Sequence, residues 1–174
     1  MVKLQGTKIY LMPITNEDTE LIIQWRNKPS VQNNFIFREL FTRDMHEKWM
    51  KEKIETGRVI QFIIIETEKN RKVGSVYLRD IDHHNHSAEY GIFIGEDNAR
   101  GLGYGSEACR LITDYGFKEL GLHRIFLRVF KNNQQAIHSY LKAGFVEEGV
   151  AKDMIWADGR YNDMVFMAKI ASDR

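Results

Sequence analysis

The chain has 174 residues, enough for one domain spanning 1–174 that removes roughly 70% of the unfolded chain's surface from water. Lysine and arginine total 25 against 24 aspartates and glutamates, which excludes the strongly basic footprint of a nucleic-acid or anionic-membrane binder. The one cysteine, Cys109, excludes an internal disulfide, and no run has the length of a signal peptide core or a membrane span, so a cytoplasmic protein is expected.

Lys8 to Met12 reads as a first strand closed by Pro13. Thr15 to Asp18 offers helix-start chemistry, Leu21, Ile22 and Trp25 follow at helical spacing, and Lys28-Pro29 ends the helix. Ser30 to Phe41 carries Phe35, Phe37 and Phe41 without a clean period, so it reads as a loop or broken helix lying over something, or as a partly buried connector. Thr42 caps a second helix with Met45, Trp49, Met50 and Ile54, ended by Gly57. Val59 to Glu66, Val73 to Ile81 and Ser87 to Gly95 are strand-like and separated by polar turns, the pattern of an antiparallel meander. The turn Asp82 to His86 holds His83, His84 and His86, but neither a helical i,i+4 pair nor a cysteine supports a metal site there, and a solvated turn is the better reading. No metal is expected.

The third strand feeds into Arg100-Gly101-Leu102-Gly103-Tyr104-Gly105-Ser106. Alternating glycines free φ and remove Cβ atoms where backbone amides must turn toward one point. The next residues place Ala108, Leu111, Ile112, Tyr115 and Leu120 near one helical face, with Gly121 as a stop. A glycine loop that opens a helix presents unpaired N–H groups and a positive dipole end to an anion. Gly105 is followed by Ser106 and Glu107, so the loop is not a P-loop. Ser106 also stands where a dinucleotide fingerprint needs its third glycine. Arg124 to Phe130 alternates as a strand, with Ile125, Leu127 and Val129 on one side. Asn133 caps a short helix buried through Ala136, Ile137, Tyr140 and Leu141 and stopped by Gly144. Phe145 to Ala157 and Arg160 to Ile170 flank Asp158-Gly159, a hairpin signal. The order β, two helices, three β, helix, β, helix, two β makes a mixed α/β sandwich.

Two segments carry a family resemblance: Arg100-x-x-Gly103-x-Gly105, and Asn133-x-x-Ala136-x-x-x-Tyr140-x-x-x-Gly144-Phe145. Both resemble signatures of the GNAT family, the acetyl-CoA-dependent N-acetyltransferases, and the likeness extends over nearly the whole chain. It implies an α/β fold with a central mixed, mostly antiparallel sheet flanked by helices, in which a splayed strand pair holds acetyl-CoA. It further implies that Gly101 to Ser106 (Gly101, Leu102, Gly103, Tyr104, Gly105, Ser106) grip the pyrophosphate, that Ile92, Phe93 and Ile94 meet the pantetheine arm, that Asn133 contacts that arm, and that Arg100 and Lys142 meet phosphates. Tyr140 would give a proton to the departing thiolate, and Glu89 would take one from the amine, directly or through water.

The acceptor stays open. The resemblance looks closest to the branch of ribosomal-protein N-terminal and spermidine acetyltransferases, with Phe35, Phe37, Glu39 and Asp80 as substrate contacts. Polyamine enzymes carry adjacent carboxylates just after an aromatic residue in the acceptor loop; here the place reads Phe35-Ile36-Phe37-Arg38-Glu39, with one acid beside an arginine. Gln24 to Pro29 and His46 to Trp49 look like enzymes acting on 4-amino-sugar nucleotides. A non-catalytic acetyl-CoA-binding module is the reading from a different class. Relatives are often dimers, and the Phe-rich loop suits a homodimer interface.

Overall fold

The computed structural model describes residues 2–172. Its centre is one eight-stranded sheet in the order β1-β2-β3-β4-β5-β6-β8-β7. The strands are β1 (Leu4–Gln5), β2 (Ile9–Pro13), β3 (Val59–Glu66), β4 (Arg71–Asp82), β5 (Ser87–Ile94), β6 (Arg124–Phe130), β7 (Val146–Ala157) and β8 (Arg160–Ile170). Strands β3, β4 and β5 form the expected antiparallel meander. Asp158 and Gly159 both have positive φ between β7 and β8, as the two-residue hairpin turn requires. The two-residue strand β1 escapes a reading by period, because it is too short to show one.

The apolar run Phe62-Ile63-Ile64-Ile65 is continuous because both faces of β3 are covered. Phe62 and Ile64 enter one core cluster with Ala108, Ile112 and Ile137, which lie on α4 (Tyr104–Lys118) and α5 (Gln134–Lys142). Ile63 and Ile65 enter a second cluster with Ile22 and Trp25 of α1 (Thr19–Arg26) and Val31 of α2 (Pro29–Gln32). The period of two thus sorts side chains to opposite faces, with helices on each. The first-turn acid Glu107 ties α4 to the sheet edge: it accepts backbone N–H bonds from Lys8 (2.9 Å) and Ile9 (3.2 Å).

Local chemistry sets the remaining helix ends. Thr42 accepts from the Met45 amide at 3.3 Å and opens α3 (Arg43–Trp49). Its continuation to Ile54 widens into a π turn, with the Glu55 amide bonded to the Met50 carbonyl at 2.9 Å. Asn133 accepts from the Ala136 amide at 3.2 Å, the cap that its position predicts. One expected core position of α5 fails: Leu141 is half exposed while Ile137 is buried. Leu141 shares a face with Ile137 one turn earlier, but it stands in the last turn of α5 and is left exposed there.

Candidate active site

Strands β5 and β6 pair in parallel only from Ser87↔Arg124 to Glu89↔Phe126. Beyond Glu89, β5 stays paired to β4 as far as Ile94, and beyond Phe126, β6 stays paired to β8 as far as Phe130. The two strands therefore part, and each turns an edge of backbone N–H and C=O groups toward the gap. A cavity of about 700 Å³ opens there.

The glycine loop closes one end. Gly101 and Gly103 have φ of 73° and 85°, the left-handed region where a Cβ is strained, and Gly103 is the residue from which α4 starts. Amides in the first turn of α4 have no partner within the helix, so the loop and the dipole end together offer donors suited to an anion. Lys8, unflagged by any sequence motif, lies beside it, its Nζ donating to the Leu102 carbonyl at 3.0 Å. At the other side of the opening stands α5. The Tyr140 ring meets the Tyr90 ring edge-on, with centroids 5.9 Å apart, and lies 6.0 Å from the Phe145 ring. Burial pushes the Tyr140 hydroxyl above the ordinary tyrosine range and the neighbouring Cys109 thiol up to about 11, so both stay protonated at neutral pH. Cys109 is a buried packing residue, as its helical position suggests.

Most of the expected cofactor contacts line this one cavity: Ile92, Phe93, Ile94, Arg100, Gly101, Gly103, Tyr104, Gly105, Ser106 and Asn133, together with Tyr140 and Glu89. Leu102 and Lys142 do not line it; both are exposed. Arg100 is partly occupied, donating to the backbone carbonyls of Ile94 (3.0 Å) and Ser30 (3.3 Å), which pins the loop to the end of β5. Of the expected acceptor contacts, Phe35 and Phe37 line the cavity, but Glu39 and Asp80 are exposed and lie outside it. Asp80 sits at a positive φ of 51° within the irregular pairing of β4 and β5, which turns it away from the sheet.

Glu89 is buried and held from two sides. Arg79 Nε donates to one carboxylate oxygen at 3.1 Å and Arg128 Nε to the other at 2.9 Å. Burial alone would raise its pKa, but the two guanidinium groups outweigh burial and hold the carboxyl below its usual value. A carboxylate so saturated is a weak base.

The acceptor side also contains Arg26, His46 and Trp49, from the segments that resemble amino-sugar-nucleotide enzymes, together with Gln61 and Ser75, which no sequence pattern singles out. Trp49 Nε1 donates to Gln61 Oε1 at 2.9 Å, and Gln61 Nε2 donates to Ser75 Oγ at 2.9 Å, a chain that fixes the floor. His46 is buried with both ring nitrogens unpartnered, and burial lowers its pKa, so the imidazole is neutral. The Arg26 guanidinium stacks on Phe35 and Phe41, its carbon 3.8 Å and 4.5 Å from the ring centroids. These residues come from α1, α3, β3 and β4, and only the sheet brings them together. The histidine turn between β4 and β5 is exposed, and no group of three metal-ligating side chains is found among the described residues. Nor is any described helix long and apolar enough to cross a membrane.

The acetyltransferase (GNAT) domain profile matches residues 8–146. The chain is 30% identical over 164 residues to the spermidine N(1)-acetyltransferase of Escherichia coli, covering 91% of this chain and 84% of that protein. It is 32% identical over 93 residues to a putative ribosomal N-acetyltransferase of Bacillus subtilis, covering 53% of this chain and 50% of that protein. A crystal structure of the Vibrio cholerae spermidine N-acetyltransferase with CoA and spermine superposes with a TM-score of 0.88 at 26% identity, over 95% of this chain and 96% of that one. The parted strands, the glycine loop at a helix start and the profile match lead to one assignment: the chain belongs to the GNAT family of acetyl-CoA-dependent N-acetyltransferases.

Proposed function

We propose that the whole chain acts as one acetyltransferase domain, passing the acetyl group of acetyl-CoA directly to a primary amine in the β5/β6 cleft. The observation that carries this reading is that one cavity is lined by the splayed strand edges, the loop that opens α4 and Tyr140. The diphosphate of CoA lies on amides of residues 101 to 106, and the pantetheine arm adds to the free edge of β5 as a strand would. A backbone N–H among Ile92 to Ile94 polarises the thioester oxygen. The amine nitrogen attacks the carbonyl carbon, a C–N bond forms and the C–S bond breaks. The nitrogen sheds a proton to water, while the thiolate takes one from Tyr140.

Glu89, expected as the base, serves instead as the fixed counter-ion that aims Arg79 and Arg128. Asn133 is engaged in capping α5 and in a 3.2 Å bond to Asn34, so its contact with the cofactor arm runs through a side chain already held in place. The buried lone thiol of Cys109 suits a reducing cytoplasm. Ile36, Phe37 and Leu40 are exposed in the Phe-rich loop and make it the surface we read as a homodimer contact. A polyamine acceptor is the second reading, supported by the identity to the spermidine enzymes.

Thiol release from acetyl-CoA with a panel of spermidine, peptide N-termini and amino-sugar nucleotides tests the reaction. Turnover of any one of them is expected. Tight acetyl-CoA binding with no turnover of a broad amine panel would leave a non-catalytic binding module in its place.

A further inference from the structure

We infer that the acceptor amine also carries an oxyanion, a carboxylate or a phosphate, and that Arg26 holds it. This rests on the reading of the cleft as the acetyl-transfer site. Among the described residues lining the cavity, Glu89 is the one carboxylate, whereas Arg26, Arg79, Arg100 and Arg128 are cations. Glu89 is shared between Arg79 and Arg128, so it cannot neutralise both, and nothing is left over for Arg26. The acceptor half therefore carries excess positive charge in a partly enclosed space, where Coulomb forces are stronger than in water.

Arg26 is the residue with capacity to spare. Its Nε is buried and has no hydrogen-bond partner, and the charged side chain acting unfavourably on it is Arg79, a second cation. Phe35 and Phe41 meet the guanidinium through their π faces, which stabilise its charge but leave the N–H fork in its plane unused. A planar fork of donors, oriented by stacking and lacking an anion, matches a carboxylate or phosphate group. Packing alone accounts for the stacking but not for the unpaired Nε. A polycation would meet this wall unfavourably. The same cationic surroundings lower the pKa of an ammonium group brought near them, which favours the neutral nucleophile without a strong base. That supplies what the saturated Glu89 carboxylate does not.

The test compares size-matched amines, ethanolamine with O-phosphoethanolamine and butylamine with 4-aminobutyrate, alongside spermidine. Thiol release gives kcat and KM, and calorimetry on the CoA-loaded protein gives Kd, for wild type, Arg26→Gln and Arg26→Lys. The acid-bearing member of at least one pair is expected to exceed its neutral partner about tenfold or more in kcat/KM, and the pair that shows it identifies the phosphate or the carboxylate. Arg26→Gln is expected to erase that advantage through KM, with a smaller loss for the neutral amine that has lost one nearby cation and no change in the acetyl-CoA Kd, and Arg26→Lys to restore part of it. If Arg26→Gln does not fold, the partial loss in Arg26→Lys carries the same comparison. Spermidine as the preferred acceptor, or an equal loss for both members of each pair, overturns the inference. Should no amine turn over, binding of an acid-bearing amine that Arg26→Gln abolishes upholds the acceptor assignment while the transfer reaction fails; no such binding overturns it.

Discussion

On the side of the cleft that we assign to the cofactor the exposed groups are backbone: the free edges of β5 and β6, and the amides where Gly103 opens α4. On the side that we assign to the acceptor the lining is side chains, above all the arginines at 26, 79 and 128, carried by α1, β4 and β6. A backbone site needs only the right φ values and a strand that leaves its partner, so many side chains are compatible with it. A side-chain site changes its chemistry with each substitution.

Replacing Glu89 by Gln attacks the acceptor side where its charges are balanced. Two half-buried guanidinium groups lose their anion, and unfolding free energy is expected to fall by about 3 kcal/mol, read from urea denaturation. The pH dependence follows the same residue. Its folded-state pKa is depressed, so its stabilisation is present above the unfolded carboxyl value and is lost as pH falls through the folded one. Wild type is expected to lose stability between about pH 5 and about pH 3, and Glu89→Gln to lose less over that range. Equal slopes would show that the two arginines do not depend on this carboxylate.

Tyr140→Phe probes the point where the two halves meet. It is expected to lower kcat on the order of 10² while leaving the Kd for acetyl-CoA unchanged, since the ring contacts with Tyr90 and Phe145 remain. An unaltered kcat in the thiol-release assay removes Tyr140 from proton transfer. On the cofactor side, Gly103→Ala forces a Cβ into the left-handed region at φ 85° and is expected to cost about 1–2 kcal/mol, with weaker acetyl-CoA binding by calorimetry. Gly149→Ala, at a position with open space around it and no positive φ, is the matched control and should leave that Kd unchanged.

The smallest effect is expected at His46. Both its nitrogens are buried without partners, so His46→Leu removes a desolvation penalty along with some packing, and the net change is within about 1 kcal/mol. Burial depresses its folded pKa below the unfolded value near ~6.5, so its neutral form costs stability as pH falls, and the variant should flatten the thermal-midpoint decline between about pH 7 and about pH 5. An unchanged profile would show that burial does not depress the His46 pKa in the folded protein.

Legibility follows the same division. The loop from Arg100 to Ser106 and the helix from Asn133 to Phe145 were readable because capping, glycine conformations and a 3.6-residue period act between neighbours in the chain. The parting of β5 from β6 was not, since it depends on how far two strands separated by a helix remain in register. Glu39 and Asp80 were reasonable acids by position in the sequence, yet both point to solvent. Arg26 and His46 fall within segments that resemble amino-sugar-nucleotide enzymes, but the stacking of one and the unpartnered burial of the other are not written in that likeness. Glu89 reads from its place on the strand as a candidate base, and its two arginine partners escape that reading because they lie 10 and 39 positions away.

By itself the sequence determined the α/β order of elements, the meander, the hairpin at Asp158-Gly159 and the glycine loop that opens α4, because each is written in local backbone preference and short-period apolar patterning. The tertiary structure alone decided the width of the cleft, the saturation of Glu89 and the unpaired guanidinium of Arg26. Charge balance is set by which side chains meet across the sheet, and pairing across a sheet joins residues whose separation along the chain carries no period to read.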